Sequence, residues 1–509
     1  TAGNGGAMKI LLVYPQYPAD TFWSFKHVMK FVSKKAAYPP LGLLTIASML
    51  PEEWEKKLVD LNVSALKDRD LEWADSVFIS AMIVQKDSVK EVVERCRKFD
   101  VKIVAGGPLF TTGYEEFEGI DHFVLGEAEE TLPVFLEDLK NGCAKHIYVT
   151  DKRPDLTKTP VPMWDLIDFK HYATLSVQYS RGCPYDCEFC DIIIMNGRVP
   201  RTKETSQLLR EFDALYERGW RGSVFIVDDN FIGNKIRVKQ MLRGIIAWME
   251  EKKYPFTLFT EASLNLADDE ELMRLMIEAG FNKVFIGLET PDDASLTECN
   301  KSPNQASDMV ASVKKIQNHG MQVFGGFIVG FDNDPPSIFE SQINFIQKMG
   351  ITTAMVSILT ALPKTRLYNR LKEEGRLLRA SSGNNTDGSL NFIPKMDAEA
   401  LVNGYRKIMR TIYSPEKYYE RIITFLEEYR PVKRRQRISL ALAIPSLKSF
   451  LKSVWYLGIV EGSRRYYWKL VTKALFKYHR AFPEAIGMAI FGFHFRKVTQ
   501  KLLKQSTLE

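Results

Sequence analysis

The stretch YSRGCPYDCEFC, Tyr179 to Cys190, decides the reading of this chain. It follows the apolar run Leu175-Tyr179 and sets Cys183, Cys187 and Cys190 in a C-x3-C-x2-C spacing, so three thiolates reach one centre. A tetrahedral zinc site wants a fourth protein ligand. A four-iron, four-sulfur cluster on three cysteines instead leaves one iron open to an exogenous chelator. Gly182 and Pro184 permit a tight wrapping loop, and Phe189 can shield the centre from water. On spacing alone, a zinc knuckle or three unliganded thiols remain alternatives.

Working outward, Leu175-Tyr179 is the first of six strand candidates. Ser223-Val227, Thr257-Thr260, Lys283-Leu288, Gln322-Val329 and Thr353-Leu359 follow, with helical patterns such as Glu270-Ala279 and Gln305-His319 between them. Six strand–helix units predict a partial (β/α)6 barrel over residues 171–380; eight would need more chain than precedes the polar loop Ser381-Gly388. Ligand sites of such barrels gather at strand C-termini, where the cysteine loop falls, and this favours the cluster over zinc. Asp229, Glu261 and Glu289 stand at later strand ends, as do Gly325 and Gly326. Each acid could equally be a solvated loop carboxylate.

Toward the N-terminus, Ile10-Val13, Lys57-Leu61, Ser76-Ser80, Lys102-Ala105 and His122-Leu125 alternate with helical stretches such as Asp87-Phe99. This alternation predicts a doubly wound, Rossmann-like parallel sheet over residues 8–140. Glycine-bearing turns at Gly106-Gly107 and Gly126-Glu127 lie where open sheets bind ligands, though each alone reads as an ordinary tight turn. Residues 141–170, with Pro154, Pro160 and Pro162, read as a linker. Residues 1–7, TAGNGGA, read as an expression scar ahead of a native start at Met8.

Residues 381–509 read as a helical, basic C-terminal domain beginning with Ala398-Thr411 and Pro415-Tyr429. From Arg430 onward, 17 lysines and arginines, including Lys433, Arg434, Arg435, Arg437, Arg464 and Arg465, face few acids, Glu461 and Glu484 among them. A solvated basic face competes here with adhesion to an anionic membrane surface or nucleic acid. Ala481-Phe495 is apolar but interrupted by Pro483 and Glu484, and too short to span a bilayer. With 45% hydrophobic and 26% charged residues, wholesale disorder is excluded. Six cysteines, three of them within eight residues, fit a metal site in a reducing compartment rather than a disulfide framework. Met8-Lys9 runs straight into a strand without a secretory leader, so a cytoplasmic protein is expected.

An aromatic residue before the last cysteine makes the triad resemble the signature of radical S-adenosylmethionine enzymes. The resemblance implies Cys183, Cys187 and Cys190 as cluster ligands, with Phe189 near the adenine. The open iron then chelates the methionine amine and carboxylate, and one electron cleaves the carbon–sulfur bond to a 5′-deoxyadenosyl radical. Asp229, Glu261 and Glu289 would bond the ammonium or ribose hydroxyls, and Gly325 and Gly326 would let the backbone approach adenine.

A doubly wound domain ahead of such a barrel resembles the cobalamin-dependent branch of the family. By that resemblance Pro15, Pro40, Gly42, Asp60, Gly106, Gly107, Gly126 and Glu127 surround the corrin. No Asp-x-His-x-x-Gly motif is present, so no histidine is expected beneath the cobalt. Cys187-Ile194 and Gly197-Lys203, with the helical extension, resemble the group that includes the hopanoid C-2 methylase. The expected activity is methylation of an unactivated carbon of a small-molecule or lipid substrate. Methylcobalamin can give a methyl to a carbon radical without needing a nucleophile. Radical cyclisation, rearrangement or carbon–carbon coupling is the alternative, and a non-catalytic cobalamin- or nucleic-acid-binding scaffold with a structural cluster is the reading from another class. Expected partners are a one-electron reductant such as flavodoxin or ferredoxin and, through Trp455, Tyr456, Tyr466, Tyr467 and Trp468 among the tail's cations, the inner face of a membrane; no nucleic acid is expected.

Overall fold

The computed structural model describes residues 7–305, 308–432 and 440–505. Its first sheet holds β1 (Lys9–Tyr14), β2 (Glu55–Asp60), β3 (Ser76–Ser80), β4 (Lys102–Gly106), β5 (His122–Val124) and β6 (Ile147–Tyr148). All neighbours pair parallel, in the order β2-β1-β3-β4-β5-β6. Successive side chains of the apolar strands point to opposite faces, so the sheet is buried twice over. Leu11, Val13, Val77, Ile79, Ile103 and Ala105 fill one core, and Ile10, Leu12, Phe78 and Val104 the other. Only β6 was not expected: it lies in the stretch read as a linker and adds a two-residue edge.

The second sheet runs β14-β13-β12-β11-β10-β7 without reversal, again all parallel. Its members are β7 (Thr174–Val177), β10 (Ser223–Ile226), β11 (Thr257–Ala262), β12 (Phe281–Glu289), β13 (Gln322–Val329) and β14 (Thr353–Ile358). Between β7 and β10, the antiparallel pair β8 (Ser180–Arg181) and β9 (Arg201–Thr202) brackets the cysteine loop. Leu175, Val224, Ile226, Leu258, Val284, Ile286, Val323 and Val356 point to the helix-packed side and are fully buried. The register puts Phe225, Phe259, Glu261, Phe285, Gly287, Gly326 and Met355 on the other, concave side.

Six strands leave a barrel open laterally, and two distant segments fill the gap. From the front part of the chain, Trp23 packs on Phe285 and Tyr38 on Phe225 and Phe259. From the C-terminal helix Phe482–Gln505, Phe491 reaches Phe324 and Phe25. Phe22 to Leu44 therefore shares one core with the barrel and the C-terminal helices. Helices Ala398–Ile412, Pro415–Glu428, Leu440–Ser453 and Arg464–Phe476 complete that part. Among the described residues no helix is long and apolar enough to cross a membrane. Lys433, Arg434, Arg435 and Arg437 of the basic tail lie outside the described residues.

Candidate active site between the two sheets

The cysteine loop is pinned at its neck. Gly182 has φ +100, and a Cβ there would stand 2.9 Å from the Val199 carbonyl, so only glycine fits the crossing. Its N–H donates to Asp229 Oδ2 at 2.7 Å, and the Asn196 amide donates to both Asp229 oxygens. Asp228 accepts from Tyr179 N (2.8 Å) and Ser180 Oγ (2.7 Å); burial pushes its carboxyl up to about 7. Both oxygens of Asp229, expected at the ligand, thus brace the neck of the loop.

Burial also pushes the thiols of Cys187 and Cys190 up, so the thiolate form depends on a bound metal. No three His, Cys, Asp or Glu side chains among the described residues form a group able to hold a single metal ion. In a cube each thiolate would take a different iron. Glu188 is clamped in a bidentate pair by Arg370 (2.7 and 3.0 Å), which ties the loop to the helix Arg366–Glu373. Phe189 packs 6.3 Å from Phe331, just past the end of β13.

Two more expectations change. Glu289, left-handed at φ +61 where the β12 register shifts, folds back toward Gly287 and pairs with half-buried Lys301 at 2.7 Å. Lys301, which sequence reasoning missed because no motif marks it, puts a cation beside Cys187 and Cys190. Of the glycine pair, Gly326 lies on the concave face, where a Cβ would come 3.0 Å from the Phe285 ring. Gly325 faces the helices, its Cβ position 2.7 Å from Phe327. A strand's two-residue period allows only one of two neighbours to face the lumen. Glu261 does face it. Its backbone carbonyl accepts from Phe231 N at 2.9 Å, but its carboxylate makes no hydrogen bond or ion pair among the described residues, and burial with Asp229 and Asp228 nearby pushes that carboxyl up to about 8.

In the front sheet the strand order reverses between β1 and β3, which places a crevice at their C-terminal ends. Gly107 (φ +87) lets the turn after β4 lie 2.5 Å, as measured from a notional Cβ, from Ser80 Oγ, and Gly106 passes the Val124 carbonyl as closely. Gly42 and Gly126 are different: a Cβ on either would meet nothing within 4 Å, so bare backbone faces open space that a flat ligand can approach. These residues fit a corrin. Pro15 and Pro40 are buried and shape the turns. Beside the crevice a cavity of about 740 Å³ opens between Lys86, Lys90, Arg379 and Arg406, with Asp87 and Asp387 also in its lining.

Asp60 and Glu127, also expected at the corrin, have protein partners on their carboxylates. Asp60 accepts from Asn62 and from the Tyr172 hydroxyl at 2.9 Å. Glu127 pairs with Arg201 (2.7 Å), Arg181 (2.9 Å) and Arg153 (3.5 Å). Arg181 and Arg201 are cross-strand partners on β8 and β9, a like-charge pair that would repel without these acids. Against burial, which pushes it up, Arg181 holds the neighbouring Glu129 carboxyl below its usual range. The turn after β5 is thus bolted to the neck of the cysteine loop, joining the two sites.

An open parallel sheet with a crevice, facing a partial barrel whose first strand leads into a three-cysteine loop, defines the cobalamin-binding radical S-adenosylmethionine class. Family models agree: a B12 binding domain matches residues 32–136, the radical SAM superfamily residues 177–346, and a domain of unknown function residues 365–507. An uncharacterized methyltransferase of Synechocystis sp. is 42% identical over 495 residues, covering 96% of this chain and 91% of that protein. The hopanoid C-2 methylase of Rhodopseudomonas palustris is 33% identical over 482 residues, 92% and 90% of the two chains. The structure of the radical S-adenosylmethionine methyltransferase TsrM from Kitasatospora setae, with cobalamin and a [4Fe-4S] cluster bound, shares the fold at TM-score 0.62, 16% identity and coverage of 95% and 99%. The chain belongs to the family of cobalamin-dependent radical S-adenosylmethionine methylases that includes the hopanoid C-2 methylase. Its cofactors are those the sequence implied: a [4Fe-4S] cluster, S-adenosylmethionine and cobalamin.

Proposed function

We propose that this enzyme methylates an unactivated carbon of a lipid, held in the barrel lumen between the two sites. The carrying observation is the lumen's composition. Phe225 and Phe259 stack at 4.2 Å and 7°, and Phe285, Trp23 and Tyr38 extend that surface. Such walls hold hydrocarbon by apolar burial and keep water from a reactive carbon. The 33% identical hopanoid C-2 methylase supports the lipid class.

When bound, the cluster and S-adenosylmethionine supply a hydrogen-abstracting radical, and methylcobalamin supplies the methyl group. Cys183, Cys187 and Cys190 hold the cluster, and Lys301 offsets its negative charge. Glu261, whose carboxylate has no partner among the described residues, receives the ammonium or ribose hydroxyls of S-adenosylmethionine. Gly326 admits it closely, and Phe189 packs on its adenine. Gly42, Gly106, Gly107 and Gly126 present backbone to the corrin, with Pro15 and Pro40 fixing the turns. A flavodoxin- or ferredoxin-like protein delivers the electron. The enzyme works in the cytoplasm, resting on the membrane's inner face through its basic C-terminal part.

Anaerobically reconstituted protein given cobalamin, reductant, S-adenosylmethionine and a polycyclic lipid should form 5′-deoxyadenosine and S-adenosylhomocysteine together. Deoxyadenosine without S-adenosylhomocysteine would remove methyl transfer and leave cyclisation or coupling.

A further inference from the structure

We propose that the outer face of the helix Leu440–Ser453, the π-helical segment Val454–Val460 and the helix Arg464–Phe476 docks on an anionic lipid bilayer. This deepens the peripheral contact proposed above, yet does not require the substrate to be a lipid. Ile444, Leu447, Leu451 and Trp455 recur at three- and four-residue steps and are 50%, 58%, 56% and 57% exposed. On the next helix Leu475 and Phe476 are 54% and 83% exposed. Such a stripe would be a liability on a surface that met only water. Its inner side is already engaged: Ser449 Oγ donates to the Phe31 carbonyl at 3.2 Å and Lys452 Nζ to the Lys30 carbonyl at 2.7 Å.

Charge selects the occupant. Lys448, Arg464, Lys469, Lys473 and Arg480 are exposed around the apolar residues and have no carboxylate partner among the described residues. The acid within this span, Glu461, is turned to Lys497 (3.4 Å) and Arg496 (4.0 Å). Apolar and aromatic tips ringed by unpaired cations are what a helix lying in an anionic interface presents. The placement is also productive. The Leu440–Ser453 helix bonds to the helix Lys26–Val32, which begins directly after Trp23 and Phe25; Trp23 packs on Phe285 of the lumen, so docking would set the bilayer near the reaction chamber.

Full-length, cluster-loaded protein should co-sediment with vesicles of mixed phosphatidylglycerol and phosphatidylcholine, and less as salt rises. It should not follow phosphatidylcholine alone. Leu447→Glu, Leu451→Glu and Phe476→Glu combined should cut the bound fraction about tenfold or more, and Lys469→Glu with Lys473→Glu should cut it at low salt. Formation of 5′-deoxyadenosine from S-adenosylmethionine should be unchanged in both variants, since none of these residues touches the site. Wild-type protein that stays in the supernatant, a triple variant that pellets equally well, or light scattering showing a dimer that the triple variant dissolves would each overturn the proposal. Failure of a lipid acceptor to be methylated while vesicle binding persists would refute the substrate reading alone.

Discussion

The two sheets use the same parts to opposite ends. Both have six parallel strands of β-branched and aromatic residues, but in the first the order reverses between β1 and β3, and in the second it never does. Reversal sends crossover helices to both faces, so the sheet stays open, is buried on both sides, and binds only along its C-terminal edge. Without reversal every helix lies on one face and the sheet curls, so the other face becomes a chamber. On the function proposed above, topology has cobalamin meet backbone at an edge, and S-adenosylmethionine and substrate meet side chains within a lumen.

The largest expected effect separates the sites outright. Cys187→Ala should abolish the cluster and bring 5′-deoxyadenosine to background. Cobalamin bound by the front sheet, read from its visible absorbance, should persist. Joint loss of both would mean that the sites are not separable in this way.

Glu127→Gln tests the bolt between them. Its carboxylate is 6% exposed and faces Arg181, Arg201 and Arg153, so neutralising it leaves the half-buried guanidinium groups of Arg181 and Arg201 short of counter-charge. A loss of about 3–5 kcal/mol in denaturant unfolding is expected, with faster proteolysis between the sheets. A loss below about 1 kcal/mol would reduce the pairs to ordinary surface contacts.

What the sequence disclosed divides along the same line. Eleven strands were legible because each is a short, bounded apolar run, as in Val323-Phe324 of β13 or Ile10-Val13 of β1. Ile147–Tyr148 and the β8–β9 pair were not, since two residues carry no period. The cysteine triad was legible from spacing. The duties of Asp229, Asp60 and Glu127 were not, because Asn196, Tyr172 and Arg201, which help to hold them, lie 33, 112 and 74 residues away. The pleat sets Gly325 and Gly326 toward opposite faces, a division that a glycine pair in the sequence does not display.

Glu261 sharpens the contrast through pH. Its carboxyl is pushed up to about 8 in the folded chain, against about 4.3 for an unfolded glutamate. The folded state therefore binds the extra proton, so this contribution is complete below about pH 4 and is lost as pH rises through about 8. One such group adds a slope of at most about 1.4 kcal/mol per pH unit between these limits. Unfolding free energies measured at several values from pH 5 to 8 should fall less steeply in Glu261→Gln. An unchanged slope would mean that the carboxylate is not confined in the lumen.

The smallest effect on stability, and the sharpest on ligand placement, comes from a pair of glycines at the open sheet. Gly107→Ala forces a Cβ against Ser80 Oγ in a left-handed turn, at a cost of about 1–3 kcal/mol. Gly42 is the second residue of the helix Leu41–Met49 and meets nothing within 4 Å, so Gly42→Ala should stabilise the protein by up to about 1 kcal/mol. If the corrin lies against that bare backbone, this stabilised variant should nonetheless hold less cobalamin than wild type. Undiminished cobalamin in Gly42→Ala would move the corrin away from this helix, toward the turns after β4 and β5.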